Sequence, residues 1–269
     1  MKTRLLALVA GLAALMSLSS CIETHQTLNL KKDGSGTLVE ETMMGAQMVA
    51  MMQLGAGQPG APDPIAEMED EQQYKDKAAG YGEGVEFEKL EKVEKNGGKG
   101  VKVTYKFKDV NKVRFEPGSG LDNMGPGAGD GVKEVKKEVQ PLTFAYADGK
   151  LTITFPEPPK DAKAEDIPDV PAGEDLAPQA AQMMQMFKDM KVSAKVVVEP
   201  GIKTTNATYR EGDTITLMEV NFGEILQNPD GAKVLQKLDM ADRKGMEEAL
   251  KDVKGVKMET KKTVDVEVK

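Results

Sequence analysis

The chain of 269 residues has no tryptophan, one histidine, one cysteine, and aromatic residues at only 4%. Each scarcity removes a class of chemistry. With one His and one Cys, serine triads, cysteine proteases and zinc sites of ordinary ligand type all lack parts, and no intrachain disulfide can form. Few rings leave little platform for stacking bases or sugars. Basic residues number 36 against 44 acidic ones, for a formal charge of -8, and they form no basic stripe. Neutralising phosphates needs clustered Lys and Arg, so this balance argues against nucleic acid as a partner. No apolar run is long enough for a spanning helix. The longest, Leu5 to Leu18, is also too close to the start of the chain.

That run is informative for another reason. Lys2 and Arg4 precede it, and Leu18-Ser19-Ser20-Cys21 closes it. A positive n-region, a short apolar stretch and small residues before a cut define a secretory signal over residues 1–20. The closing tetrapeptide resembles the bacterial lipobox, in which signal peptidase II cleaves before the cysteine and the thiol carries diacylglycerol. The resemblance implies that Cys21 is the lipidation site. It also implies a membrane partner held through acyl chains, each buried CH₂ worth about 0.8 kcal/mol. The alternative is an ordinary secreted protein with a free thiol. Ile22 stands where lipoproteins retained in the inner membrane carry Asp, which favours the outer membrane, facing the periplasm. Residues 21–26 are then an acylated tether and 27–269 an envelope domain large enough to bury a core.

Within that domain, turn chemistry sets the pattern. Asp33-Gly34-Ser35-Gly36, Asn96-Gly97-Gly98-Lys99-Gly100 and Asp148-Gly149 each separate two alternating apolar runs, which predicts three β-hairpins. Three further strands are expected over 192–198, 202–209 and 214–222, and a last one across Val264, Val266 and Val268. Helices are expected over 43–54, 65–79, 180–190, 230–238 and 243–253. Gly- and Pro-rich loops are expected at 55–64, 117–131 and 156–178. Runs of strands joined by turns, with interspersed helices, predict an α+β fold: a twisted antiparallel sheet built from hairpins and packed against several helices.

The lipobox, the Asp33-Gly34-Ser35-Gly36 turn, the Phe107-Lys108-Asp109-Val110-Asn111 run, and Glu199-Pro200-Gly201-Ile202 ahead of Asn206 resemble a group of bacterial envelope lipoproteins. That group includes the mycobacterial LppM-like β-rich domain. The resemblance implies a β-rich envelope module and a lipid ligand. Met218 stands where such relatives carry Trp, so no binding residue is carried over.

The methionines supply the candidate site. Met44, Met48 and Met51 on the first predicted helix face, with Met183, Met186 and Phe187 on another, recur at helical spacing. Three readings fit: a packed core face, a pliable apolar groove for a lipid or partner protein, or soft thioether ligands in a copper-handling protein. His25, the sole histidine, falls in the expected tether and is poorly placed as a general base. Carboxylates are abundant enough for an envelope enzyme of two-carboxylate type, but acidic side chains at this density usually form solvated surface. The glycines of 118–131 lack the strand, helix start and Lys of a phosphate loop. The expectation is a non-enzymatic, lipid-anchored binding or scaffolding protein with no catalytic residue, metal or cofactor.

Overall fold

The computed structural model describes residues 22–56, 63–118, 140–157, 188, 190–227 and 243–269. They form two sheets over one shared core. In the first sheet the strand order is β10-β11-β8-β1-β2-β4-β3, with β12 added to β11. Its members are β1 (Ile22–Leu30), β2 (Gly36–Met44), β3 (Glu86–Lys95), β4 (Gly98–Phe107), β8 (Met190–Val198), β10 (Arg210–Glu211), β11 (Thr214–Asn221) and β12 (Val256–Met258). The second sheet runs β5-β6-β7-β13-β9, from β5 (Arg114–Phe115), β6 (Leu142–Ala147), β7 (Lys150–Thr154), β9 (Ile202–Thr205) and β13 (Thr263–Val268).

Turn residues place the hairpins where the sequence predicts them. Asn96 and Gly97 have φ of 52° and 78°, and Asp148 and Gly149 have 50° and 71°. These left-handed pairs match the twist of the strands they join. Strand alternation then sorts the faces. Leu28, Leu30, Leu38, Val101, Val103, Val196 and Val198 point inward from the first sheet, and Phe144, Leu151, Ile153, Val264 and Val266 from the second. At about 1.5–3 kcal/mol per fully buried large aliphatic side chain, these two facing sets are the main support of the fold. Gly36 is required by packing: a Cβ there would lie 1.9 Å from the carbonyl oxygen of Asn29 and 2.7 Å from the Phe107 ring.

The expectation of antiparallel pairing needs one correction. β1 lies parallel to β8 over its whole length, from Ile22 opposite Met190 to Leu30 opposite Val198, so the first sheet is mixed. The chain between these two strands is a long excursion that includes β5, β6 and β7 of the other sheet, and only such a crossover permits parallel neighbours. Similarly, β8 and β9 do not form a hairpin. Gly201, at φ 98°, turns the chain out of one sheet and β9 joins β13 in the other.

Helices are short among the described residues. They are α1 (Ala46–Ala56), α2 (Pro64–Met68), α3 (Glu71–Lys77), α4 (Phe222–Leu226) and α5 (Arg243–Leu250). Asp63 and Asp70 cap α2 and α3, accepting from the amides of Ile65 and Gln72. The structure thus divides the helix expected over 65–79. The first helix also starts later than its methionine spacing predicts, because Met43 and Met44 are still in β2, paired with Glu23 and Ile22. Residues 22–26, expected as a tether, form the first half of β1. The expected loops at 117–131 and 156–178 fall almost wholly outside the described residues, as do the signal segment, most of the helix expected over 180–190, and all of the one over 230–238.

Candidate functional site

The methionine positions separate in space. Met44 and Met48 are buried in the shared core, at 5% and 6% exposure, and Met52 packs against it. Met51 faces outward at 39%, beside Leu54 at 81%, and these two are the exposed large hydrophobic residues among those described. Cys21, Met183, Met186 and Phe187 lie outside the described residues. Among the described members of the expected groove, two are packing and one is surface.

A second cluster is polar and sits on the inward face of the first sheet. Glu40 of β2 is 4% exposed, directly opposite Gln26 of β1. Its Oε1 accepts from Gln26 Nε2 at 2.8 Å and from the Tyr81 hydroxyl at 2.5 Å, and Lys77 Nζ at the end of α3 lies 3.1 Å from Oε2. Gln26 Oε1 accepts in turn from the Gly118 amide at 2.8 Å. Lys77 also stands 5.4 Å over the Tyr81 ring, and Tyr81 packs on Tyr105 with ring centroids 4.9 Å apart. Burial, reinforced by the Glu40 charge, pushes the Tyr74 hydroxyl up to about 12 and raises that of Tyr105 still further. The Tyr105 hydroxyl and Thr24 Oγ1 have no hydrogen-bond partner among the described residues. Glu40 is therefore a carboxylate with a cation and two neutral donors fixed on it, the arrangement of a structural ion pair.

On the outward face, a groove of about 620 Å³ opens between β1, β8 and β11 and the segment 251–257. His25 sits at its wall. His25 Nδ1 and Ser193 Oγ are hydrogen-bonded at 2.8 Å, and His25 Nε2 lies 3.8 Å from Glu23 Oε2. This serine, histidine and carboxylate grouping comes from strands 168 residues apart, so sequence reading could not find it. Its geometry does not suit acyl transfer. Ser193 is 4% exposed and in mid-strand, paired to His25 on one side and Glu219 on the other. Backbone amides there are engaged in ladders and do not converge on a developing oxyanion. Across the groove, Glu219 is held by Lys257 at 2.7 Å and Lys195 at 3.2 Å, and chiefly the Lys257 hydrogen bond lowers its pKa below the usual carboxylate value. The groove is thus amphipathic, lined by charges of both signs with lysines in excess and by valines between them.

No protein-family model and no curated protein matches the chain. Among solved structures, the folded domain of Mycobacterium tuberculosis LppM, determined by NMR, shows a distant resemblance. It aligns over 78% of this chain and 87% of its own length, at 11% identity and a TM-score of 0.32.

The motifs singled out in the sequence act as fasteners between the sheets. Val110 donates its amide to the Gly34 carbonyl at 2.9 Å, and Asn111 exchanges hydrogen bonds with the Tyr146 backbone at 2.6 and 3.3 Å. The Tyr146 hydroxyl then donates to the Lys32 carbonyl at 2.9 Å. The Phe107–Asn111 run therefore ties the β1–β2 turn to the β6–β7 hairpin. Asn206, just after β9, instead extends the β9–β13 pairing within the second sheet, accepting from the Asp265 amide at 2.7 Å. Met218 is half-buried, after the irregularity in β11.

Proposed function

We propose that this protein is a lipid-anchored cell-envelope module without enzymatic activity, which binds or scaffolds a partner close to the bilayer. One observation carries the reading. The residue after the lipobox cysteine is already the first residue of β1, a central strand paired on both edges, to β2 and β8. A diacylglycerol on Cys21 is then joined to the middle of the sheet without a spacer, and the folded domain stays within a few ångströms of the membrane surface. The outward groove at the His25 end opens near that anchor. Its excess of lysines suits the head of an amphiphile or an acidic segment of another envelope protein. Ile22 in place of Asp supports residence in the outer membrane, on its periplasmic side.

The reading is tested in the producing bacterium by mass spectrometry of the mature N-terminus, together with fractionation of native protein and the Cys21→Ser variant. A diacylated or triacylated Cys21, membrane-bound native protein and a released variant are the expected results. An unmodified thiol, or a mature chain starting elsewhere, removes the anchor. Native mass spectrometry of the released variant then reads the groove: co-purifying lipid is expected, and none at all would leave scaffolding of a protein partner as the function.

A further inference from the structure

We infer that α1 is a membrane-contact helix, its outer face lying in the headgroup layer of the bilayer into which Cys21 is anchored. This rests on the lipid-anchor reading above and specifies how the domain stands on the membrane. α1 carries no charged residue along its sequence, Ala-Gln-Met-Val-Ala-Met-Met-Gln-Leu-Gly-Ala. Its inner face, Met48, Val49 and Met52, is spent on the core. The outer face presents Gln47, Ala50, Met51 and Leu54 at i, i+3, i+4 and i+7, all exposed. Met51 and Leu54, with the uncharged Gln47 and Gln53 beside them, lack the charged residues of an ordinary solvated helix face, and the described residues leave them uncovered.

The register says what covers this outer face. Ile22, bonded in the chain to Cys21, is opposite Met44, and α1 begins two residues after Met44. Consecutive Cα atoms are about 3.8 Å apart, and paired strands about 5 Å, so acyl chains on Cys21 enter the bilayer beside the start of α1. The β3–β4 turn is at the same end: a Cβ on Gly97 would lie 3.2 Å from the Ala46 Cβ. Lys95 and Lys99 flank that turn, and their long stems let the ammonium groups reach headgroup phosphates while α1 lies flat. A second protein copy or another protein would need no such coincidence of an uncharged face, a lipobox neighbour and a lysine rim.

The chain has no tryptophan, so an introduced one reports without background. Leu54→Trp, with Ala50→Trp as a second reporter on the same face, is placed in the chain that starts at Cys21 and coupled through the Cys21 thiol to maleimide-lipid vesicles. Half of the vesicles carry brominated acyl chains. Lys32→Trp, in the exposed β1–β2 turn about 30 Å along the hairpin, is the control. Both α1 reporters are expected to shift to the blue on vesicles and to lose about half their emission to bromine, as an interfacial helix requires, with Lys32→Trp unchanged. Vesicle-tethered protein whose α1 reporters match the control, at water-exposed wavelengths and unquenched, overturns the inference. Because the tether is chemical, this result is independent of natural acylation, which the N-terminal mass decides separately.

Discussion

Breaking the ion pair around Glu40 gives the sharpest test of how this core tolerates a charge. The perturbation is Lys77→Met, which keeps the aliphatic stem and removes the ammonium. Leaving one member of a buried pair uncompensated costs roughly 3–5 kcal/mol when both are deeply buried. Here the Glu40 side chain is 5% exposed but that of Lys77 is 23%, and Gln26 and Tyr81 still donate to the carboxylate, so about 2–3 kcal/mol is expected. Glu40→Gln keeps the shape and weakens two charge-assisted hydrogen bonds, at about 1 kcal/mol each, for about 2 kcal/mol. The double variant has no buried charge to compensate. It should therefore cost about 2 kcal/mol, well below the sum of the single changes, a coupling of about 2 kcal/mol. Urea unfolding of the Cys21→Ser chain near neutral pH reads all four corners of the cycle, with the slope unchanged. For a domain of this size Lys77→Met should also lower Tm by roughly 5–10 °C. A Lys77→Met cost below about 0.5 kcal/mol, or strict additivity, would refute the placement of this carboxylate in a water-excluded node.

Tyr105→Phe removes a hydroxyl that is desolvated and has no partner among the described residues, so it should stabilise the chain by about 1 kcal/mol in the same assay. A loss of that size instead would show that the hydroxyl is bonded. Tyr74 and Tyr105 ionise above the ordinary value of 10.0 because burial and the Glu40 charge favour the neutral form. With the folded pKa raised, their contribution is fully present below pH 10.0 and is lost as pH climbs through about 12 for Tyr74 and beyond for Tyr105. Phenolate absorbance followed against circular dichroism should show Tyr74 and Tyr105 ionising only as the fold is lost. Gly36→Ala drives a methyl into the Asn29 carbonyl and the Phe107 ring, so a thermal melt should report a loss of about 2–4 kcal/mol. A neutral outcome would mean that the β1–β2 hairpin sits differently on β4.

Local chemistry in the sequence was enough for the hairpins, since Asn96-Gly97 and Asp148-Gly149 demand a left-handed turn whatever surrounds them. What needed the fold was pairing at long range. The Asp33–Gly36 turn assigns one edge of Ile22–Leu30 to its hairpin partner, but nothing local names Met190–Val198 as the mate of the opposite edge. Gln26 and Glu40 were hidden for a different reason: polar residues at alternate strand positions read as solvent-facing, yet here they occupy the inward phase and compensate each other. In β3 the irregularity between Phe87 and Lys89 resets the phase, so Leu90 follows Phe87 at an interval of three and shares its core-facing side, Val93 falls on the other face, and the simple alternation expected of this strand fails. The methionines of α1 were ambiguous by nature, since helical spacing marks a face without saying what the face meets. Only burial separates Met48 from Met51.

The parallel β1–β8 ladder sets an order for biogenesis. The first strand to be made is also the one in the middle of the sheet, and one of its edges has no mate until Met190–Val198 exists. Contact order is therefore high and folding correspondingly slow. Until then the nascent chain exposes a nine-residue row of unpaired amides and carbonyls next to its own N-terminus, a template for mispairing between copies. Such a polypeptide is suited to travelling as an extended thread with holdases on it. A truncation ending before Met190 should remain protease-sensitive and prone to aggregate, although it retains every hairpin up to β7.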